Sequence, residues 1–307
     1  MRGRVAKAIN IADLRALAQR RLPKMVFDYI DGAAEDETTL GQSTARLQAY
    51  RLVWDALVDV REVDLSTRVM GHDLPVPFIV SPTATQRLFH HDGERAMARA
   101  AQTFGTVYSL STIGSTSIED IAKATSGPKW FQVYVWKDRG LVTEILQRAK
   151  DAGFTGLILT VDVPVAGNRE RDPRNDFTVP PKLNYKTVRN VLAKPEYLWN
   201  LMTHPKITAA NFKGSATDIG IIEFINSQFD RGVTWKDAAW MRDTWGGAFA
   251  VKGVTHGEDA KRCADIDAHV WVSNHGGRQL DTSPATIDCL EEIVQAVAGK
   301  VDVIFDG

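Results

Sequence analysis

From residue 77 onward the chain alternates short apolar runs with longer amphipathic stretches. The runs are Phe78–Ser81, Val107–Ser111, Trp130–Val135, Gly156–Val161, Ala248–Lys252, Val270–Ser273 and Val301–Phe305. Apolar runs this short, rich in β-branched and aromatic residues, read as buried strands. Between most of them lie helix start and stop signals. Asp92 begins a helix that stops at Gly105, Ser117 begins the next, and Asp138 begins one that stops at Gly153. Thr255, with Glu258 in capping-box position, begins another, and Ser283-Pro284 begins one that stops at Gly299. Strand starts fall about 20 to 32 residues apart, except after the fourth run. Successive βα units of that size imply a parallel sheet, and seven exceed what an open doubly wound sheet usually uses. The economical reading is an α/β fold, the TIM (β/α)8 barrel.

Ahead of the first run, residues 1–76 read as a helical prologue. Asn10 caps a helix whose apolar positions are Ile11, Leu14, Leu17 and Ala18, with Asp13 in its first turn. Pro23 opens a second helix, Lys24 to Asp31, stopped by Gly32. Its Val26, Phe27 and Ile30 make one face, and Tyr29 is offset from them. A third helix is expected from about Glu35 to Tyr50. No linker divides the chain, so residues 1–307 read as one domain: prologue 1–76, barrel strands one to seven in 77–307, and a long insertion at 164–247.

A barrel places its chemistry at the carboxyl ends of its strands, and polar residues fall there. The first run leads into Pro82-Thr83-Ala84, and the second into Ser111-Thr112. The third carries Gln132 and Tyr134, and the fourth ends in Thr160 and Asp162, each pair at alternate positions and so on one face. The fifth ends in Lys252-Gly253, the sixth in Ser273-Asn274-His275-Gly276-Gly277-Arg278-Gln279-Leu280-Asp281, and the seventh in Asp306-Gly307. A neutral imidazole is suited to take a proton near pH 7. A guanidinium grips a carboxylate through two parallel hydrogen bonds. His275 and Arg278 therefore put a base and an anion clamp at one strand end, as oxidation of a carboxylic acid at its α carbon requires. A bare His-x-x-Arg is more often a polar loop; the whole nonapeptide is far more specific.

Composition narrows the classes. The chain has 307 residues, 44% hydrophobic and 24% charged, an ordinary globular balance. A net charge of −1 argues against general nucleic-acid binding. No apolar stretch nears 18 residues, and no apolar segment follows the basic start Met1 to Lys7, so neither a membrane span nor a secretory signal is read. Cys263 and Cys289 lie in helical contexts without metal-ligand spacing, which points to a reducing, cytoplasmic setting with no disulfide and no metal. The insertion changes this picture. Between Lys182 and Lys213 six basic residues face the single acidic Glu196, interleaved with Tyr185, Val188, Val191, Leu192, Tyr197, Leu198, Trp199, Leu201 and Met202. Such a segment either rests on the anionic inner face of a membrane or is a lid over the barrel mouth.

The nonapeptide resembles the signature of the FMN-dependent L-2-hydroxy acid dehydrogenases and oxidases, the family of glycolate oxidase, L-lactate dehydrogenase and (S)-mandelate dehydrogenase. The similarity runs from about Ile11 to Gly307. Leu22-Pro23-Lys24-Met25-Val26-Phe27-Asp28-Tyr29, Ser81-Pro82-Thr83-Ala84, Trp130-Phe131-Gln132-Val133-Tyr134, Leu159-Thr160-Val161-Asp162, Val251-Lys252-Gly253 and Phe305-Asp306-Gly307 agree with it. Gly167-Asn168-Arg169-Glu170-Arg171-Asp172 is similar to the mandelate and lactate dehydrogenase branch.

The resemblance implies that His275 is the catalytic base, with Asp162 stabilising its protonated form. Arg278 and Tyr29 would bind the substrate carboxylate, Arg169 would assist, and Tyr134 would contact the substrate hydroxyl. Lys252 would lie near flavin N1 and the C2 carbonyl, Ser111, Gln132 and Thr160 would bond the isoalloxazine, and Ala84 would offer backbone. Asp306 would hold the ribityl region, with Pro82, Thr83, Ser273 and Gly307 completing the FMN set. The implied reaction takes a small 2-hydroxy carboxylic acid to its 2-oxo acid, with electrons passing to a quinone or cytochrome, in a homotetramer. Competing readings are an oxidase returning electrons to oxygen and an inactive truncated flavin barrel. Two departures are visible. Ile113 stands where glycolate oxidase-like members carry an aromatic residue, which predicts a pocket of different width. The family's eighth βα unit, with its phosphate-gripping Gly-x-Arg-Arg-Gly, has no counterpart before Gly307, which predicts a C-terminally incomplete, flavin-poor fold.

Overall fold

Seven parallel strands, hydrogen-bonded in chain order, make one curled sheet with helices packed on its outer face. The computed structural model describes residues 5–178, 184–212 and 230–307. Among the described residues three helices lead in: α1 (Ile11–Arg21), α2 (Lys24–Asp31) and α3 (Thr38–Ala49). Asn10 caps α1 by accepting from Asp13 N at 2.9 Å. Ile11 and Leu14 nevertheless stay exposed, so α1 packs only along its Leu17–Ala18 side.

The prologue also contains a hairpin that the pattern did not announce: β1 (Thr67–Val69) and β2 (His72–Leu74), antiparallel. The parallel sheet follows as β3 (Val80–Thr83), β4 (Tyr108–Ser111), β5 (Lys129–Val133), β6 (Gly156–Thr160), β7 (Ala248–Val254), β8 (His269–Val272) and β9 (Val303–Phe305). Strand β3 starts two residues later than expected, leaving Phe78 exposed. Its register with β4 shifts between Val80 and Thr83, where Pro82 lacks the N–H a regular ladder needs.

Helices α4 (Gly93–Thr103), α5 (Ile118–Ala124), α6 (Arg139–Asp151), α11 (Gly257–Asp265) and α12 (Thr286–Val297) fill the crossovers. Ser117 and Asp138 cap α5 and α6 as expected. Two starts need correction. His256, not Thr255, caps α11, its Nδ1 accepting from Glu258 N at 3.2 Å. Helix α12 begins at Thr286 with Ala285 at its N-cap; Ser283 instead donates its N–H to Thr39 Oγ1 at 3.0 Å and its hydroxyl to Leu280 O at 2.9 Å. Within the insertion lie α7 (Arg171–Arg174), α8 (Tyr185–Leu192), α9 (Pro195–Thr203) and α10 (Trp235–Trp245). Of the basic segment 182–213, Lys182, Leu183 and Lys213 lie outside the described residues. No helix among the described residues is long and apolar enough to cross a membrane.

Alternation along the strands creates two apolar layers. Outward residues such as Phe131, Leu157, Leu159, Phe249, Val251 and Val270 bury the helices' inner faces. Inward residues Val107, Trp130, Ile158, Ala250 and Trp271 meet Met70 and Leu74 of the hairpin, which stops the amino-terminal end of the curl. Cys263 and Cys289 are free and buried on α11 and α12.

Candidate active site

The inward face turns polar one step above the tryptophans. Two residues after Trp130, Ile158, Ala250 and Trp271 come Gln132, Thr160, Lys252 and Ser273, all buried, and Ser111 on β4 joins them. Ser111 Oγ donates to Gln132 Oε1 at 3.0 Å, and Gln132 Nε2 donates to Thr160 Oγ1 at 2.9 Å. Lys252 Nζ donates to Ser273 Oγ at 2.7 Å and to both oxygens of Asp306. It also lies 5.1 Å from the Trp271 ring centre. Burial alone would raise the Asp306 carboxyl, but the Lys252 ammonium and the Ser273 and Ser81 hydroxyls hold it below the usual range. The Ser81–Asp306 bond also ties β3 to the end of β9, which share no ladder. Pro82 and Ala84 are half-buried at the rim, and Thr83 and Gly307 are exposed.

Beyond β8 the backbone enters the left-handed region at three successive residues: His275 (φ 58°), Gly276 (66°) and Gly277 (71°). For histidine that conformation is strained, and such strain gathers at functional sites. Two bonds hold it there. His275 N donates to Ser273 Oγ at 3.1 Å, and His275 Nδ1 meets Asp162 Oδ1 at 2.9 Å. The other Asp162 oxygen is buried without a partner among the described residues.

Arg278, three residues on, turns toward the prologue. Its Nη1 donates to the carbonyl of Gly32 at 2.5 Å, and its guanidinium lies 5.2 Å from the Tyr29 ring centre. Arg169, from the insertion, lies 5.6 Å from the same ring. Burial lowers the Arg278 pKa, yet a guanidinium starts high enough to stay charged. Tyr134, just past β5, has its hydroxyl pushed far up by burial and by the Asp162 carboxylate, so it remains a proton donor.

The residues singled out from sequence thus form two adjoining groups. Ser111, Gln132, Thr160, Lys252, Ser273 and Asp306 line the inner wall; His275, Asp162, Tyr134, Tyr29, Arg169 and Arg278 stand at the rim. Three further contacts at the site were not legible. Phe177 stacks on Tyr29 at 4.4 Å between ring centres, and Asp172 pairs with Arg169 at 2.9 Å. Asp281, at the end of the nonapeptide, accepts from Thr39 N at 2.8 Å and from Thr38 N at 3.2 Å, capping α3. An acidic residue closing a motif is a cap signal only when the helix it serves is known, and this one lies far away in sequence.

Comparisons with known proteins converge on one family. Residues 18–307 match the family described as FMN-dependent dehydrogenase. Glycolate oxidase of Spinacia oleracea is 38% identical over 300 residues, 97% of this chain and 76% of that protein. L-lactate oxidase of Nostoc sp. is 39% identical over 308 residues, covering 99% and 80%. The crystal structure of the monotopic membrane protein (S)-mandelate dehydrogenase superposes with a TM-score of 0.93 at 36% identity, over 98% of this chain and 80% of that one.

The donor set fits a flavin. An isoalloxazine edge offers carbonyl and ring-nitrogen acceptors around one N–H donor. Gln132 retains an N–H beyond its bond to Thr160, Lys252 can only donate, and the Ser111 and Thr160 hydroxyls can do either. A buried ammonium in this layer suits a ring that gains negative charge on reduction. The chain belongs to the FMN-dependent dehydrogenase family, and it is an FMN-dependent enzyme acting on the CH–OH group of 2-hydroxy acids.

Proposed function

We propose that the protein oxidises an L-2-hydroxy acid of the lactate or mandelate type to its 2-oxo acid and passes the electrons to a quinone or cytochrome. The observation that carries this reading is the His275–Asp162 bond of 2.9 Å beside a tyrosine ring flanked by two guanidinium groups. Arg278, Arg169 and the Tyr29 hydroxyl bind the substrate carboxylate, placing the α carbon near His275. Tyr134, kept protonated, hydrogen-bonds the substrate hydroxyl.

Oxidation removes two electrons and two protons from the substrate. Because Asp162 accepts from Nδ1–H, the lone pair of His275 is on Nε2, which is therefore the proton acceptor. Asp162 then stabilises the imidazolium. This holds whether the proton taken comes from the α carbon or from the hydroxyl. When bound, FMN supplies the two-electron acceptor. Pro82, Thr83, Ala84, Ser111, Gln132, Thr160, Lys252, Ser273, Asp306 and Gly307 would hold it.

Prologue, barrel and insertion act as one domain in this reading, since Tyr29, Arg278 and Arg169 come from the three in turn. Half-buried Ile113 and the Gly167–Asp172 stretch favour the mandelate and lactate side. Peripheral contact with an anionic membrane is supported by exposed Tyr185, Leu192, Trp199 and Met202 on α8 and α9, on the basic insertion.

The test is anaerobic mixing of the FMN-loaded protein with L-lactate, (S)-mandelate and glycolate. Bleaching of the flavin band by L-lactate or (S)-mandelate supports the proposal. No bleaching by any L-2-hydroxy acid ends it, and hydrogen peroxide formed at the turnover rate in air moves the acceptor to oxygen.

A further inference from the structure

The three groups assigned to the carboxylate come from three separate segments, so something must hold them in register. Tyr29 sits on α2, Arg169 on the loop before α7, and Arg278 after β8. The structure supplies a node between them at Arg171. Its Nη1 donates to Asp31 Oδ2 at 3.3 Å, and its Nη2 donates to Glu37. Asp31 is the last residue of α2, two positions from Tyr29, and Arg15 grips it from the other side at 2.5 and 2.7 Å. Glu37 in turn accepts from Ala33 N at 3.1 Å and so closes the turn that follows α2.

That turn is the meeting point of the site. Gly32 O accepts from Arg278, Ala34 N donates to Gly277 O at 2.9 Å, and Glu35 N donates to Asn168 O at 2.9 Å. The aliphatic stem of Arg171 lies across Gly32, its Cδ 2.9 Å from where a β carbon would stand. On the far side of α7, Asn175 Nδ2 donates to Asp28 Oδ2 at 2.8 Å and to Arg171 O at 2.9 Å. Arg171 therefore touches, through its charge or its stem, the end of α2 and the turn that seats Arg278, while its backbone lies two residues from Arg169. Its side chain is about one-third exposed, and ion pairs this exposed contribute little to stability by themselves. Three convergent partners suit placement better than stability.

We infer that Arg171 is a positioning residue: through Asp31, Glu37 and Gly32 it sets the spacing of Tyr29, Arg169 and Arg278, and with it the affinity for the substrate carboxylate. The inference rests on the reading that those three groups bind the carboxylate. Arg171 itself does not reach the reacting atoms. Its loss should weaken binding and leave the limiting rate of oxidation nearly intact, because the side-chain bond between His275 and Asp162 shares no partner with Arg171, Asp31 or Glu37.

The experiment uses FMN-loaded enzyme and follows flavin reduction against substrate concentration, giving an apparent Kd and a limiting rate. Arg171→Met keeps the stem and removes the charge. It should raise Kd about tenfold or more, the order expected for loosening one charge-assisted hydrogen bond to the carboxylate, with the limiting rate within about threefold of the parent. Arg171→Lys should recover part of the affinity. Should Arg171→Met fail to load flavin, Glu37→Gln removes the opposite partner and should show the same split. Tyr29→Phe and Arg278→Lys are the controls. If they raise Kd while Arg171→Met, or Glu37→Gln in its place, leaves it unchanged, the positioning role is overturned and the carboxylate reading survives. If the controls also leave Kd unchanged, the carboxylate reading falls and the inference falls with it. Equal loss of affinity and rate together would mark a general structural role and overturn the inference as well.

Discussion

Both carboxylate oxygens of Asp306 accept from the ammonium of Lys252, at 2.7 and 2.6 Å, in the polar layer just above the tryptophan floor. Lys252 is only 5% exposed, so removing its partner strands a charge. Breaking a buried pair from one side costs about 3–5 kcal/mol, and the partial exposure of Asp306 brings the expectation for Asp306→Ala to about 2–4 kcal/mol. Lys252→Met combined with Asp306→Leu should recover most of that loss. Because the Asp306 pKa is held down, its contribution is present above the ordinary aspartate value, about 3.9, and disappears as pH falls below it. Urea unfolding of the FMN-free protein measures all three, and a loss below about 1 kcal/mol for Asp306→Ala would show that water already screens the pair.

The chemistry has a sharper handle in His275. Removing a general base commonly costs 10²–10⁴-fold in rate. His275→Ala should retain flavin and product binding but lose flavin reduction on that scale, seen by stopped flow. Asp162→Asn should cost at least about tenfold, since the amide N–H favours the wrong tautomer of the ring. Near-parent reduction in His275→Ala would remove it from the mechanism.

How much of this was readable in advance depended on where each signal resides. All seven barrel strands announced themselves because each is a run of apolar residues closed by a polar layer, and each observed start lies within two residues of the expected one. Helix α10 was missed although Thr234 and Asp237 make a capping box at its start; the long crossover around it hid the signal. The hairpin β1–β2 gave little to find, because its three-residue strands are largely exposed and only Leu74 is buried. Long-range partners were beyond reach. Nothing local to Phe177 marks it as the stacking partner of Tyr29, and nothing local to Arg171 marks Asp31 and Glu37.

Acid should loosen the protein well before its carboxylates protonate. Burial lowers the pKa of His72, His90, His91 and His269. The rings of His90 and His91, and of His91 and His204, stand 4.3 Å apart, tying the segment after β3 to the end of α9. Arg21 and Arg87 add positive charge there, and Asp92 offsets part of it. As pH falls below about 6.5, the unfolded chain takes up protons that the folded chain resists, so stability drops. The melting temperature at pH 5 should lie several degrees below that at pH 7.5. Equal values would show that these imidazoles are freely hydrated.

Membrane contact through the insertion predicts salt-sensitive sedimentation with anionic vesicles. Each basic residue near the surface adds about 1 kcal/mol and is screened within a Debye length. The protein should pellet with phosphatidylserine vesicles at low salt and return to the supernatant at high salt. Trp199→Ser combined with Met202→Ser should weaken the low-salt association. Full recovery in the supernatant at low salt would leave α8 and α9 as a lid alone.

Gly167 joins the insertion to the Arg278 turn, and its replacement should separate local packing from catalysis. Its N–H donates to Gln279 Oε1 at 2.8 Å. A β carbon there would stand 2.1 Å from the Arg278 carbonyl oxygen and 2.8 Å from Gln279 Cα. Both obstacles are backbone, so no side chain can swing aside; either the insertion or the turn must shift. Overpacking of this kind costs about 1–3 kcal/mol. Because the loop carries Arg169 and the turn carries Arg278, Gly167→Ala should also raise the apparent Kd for substrate. Gly41 is the internal contrast. It lies within α3, and nothing among the described residues stands within 4 Å of the β carbon it lacks. Gly41→Ala should therefore stabilise the protein by about 0.5–1 kcal/mol through helix propensity and leave substrate binding alone. Unfolding curves and flavin-reduction titrations on both variants decide the matter. Parent-like stability and Kd in Gly167→Ala would mean that the insertion and the Arg278 turn move independently, and that Arg169 is not held against the site.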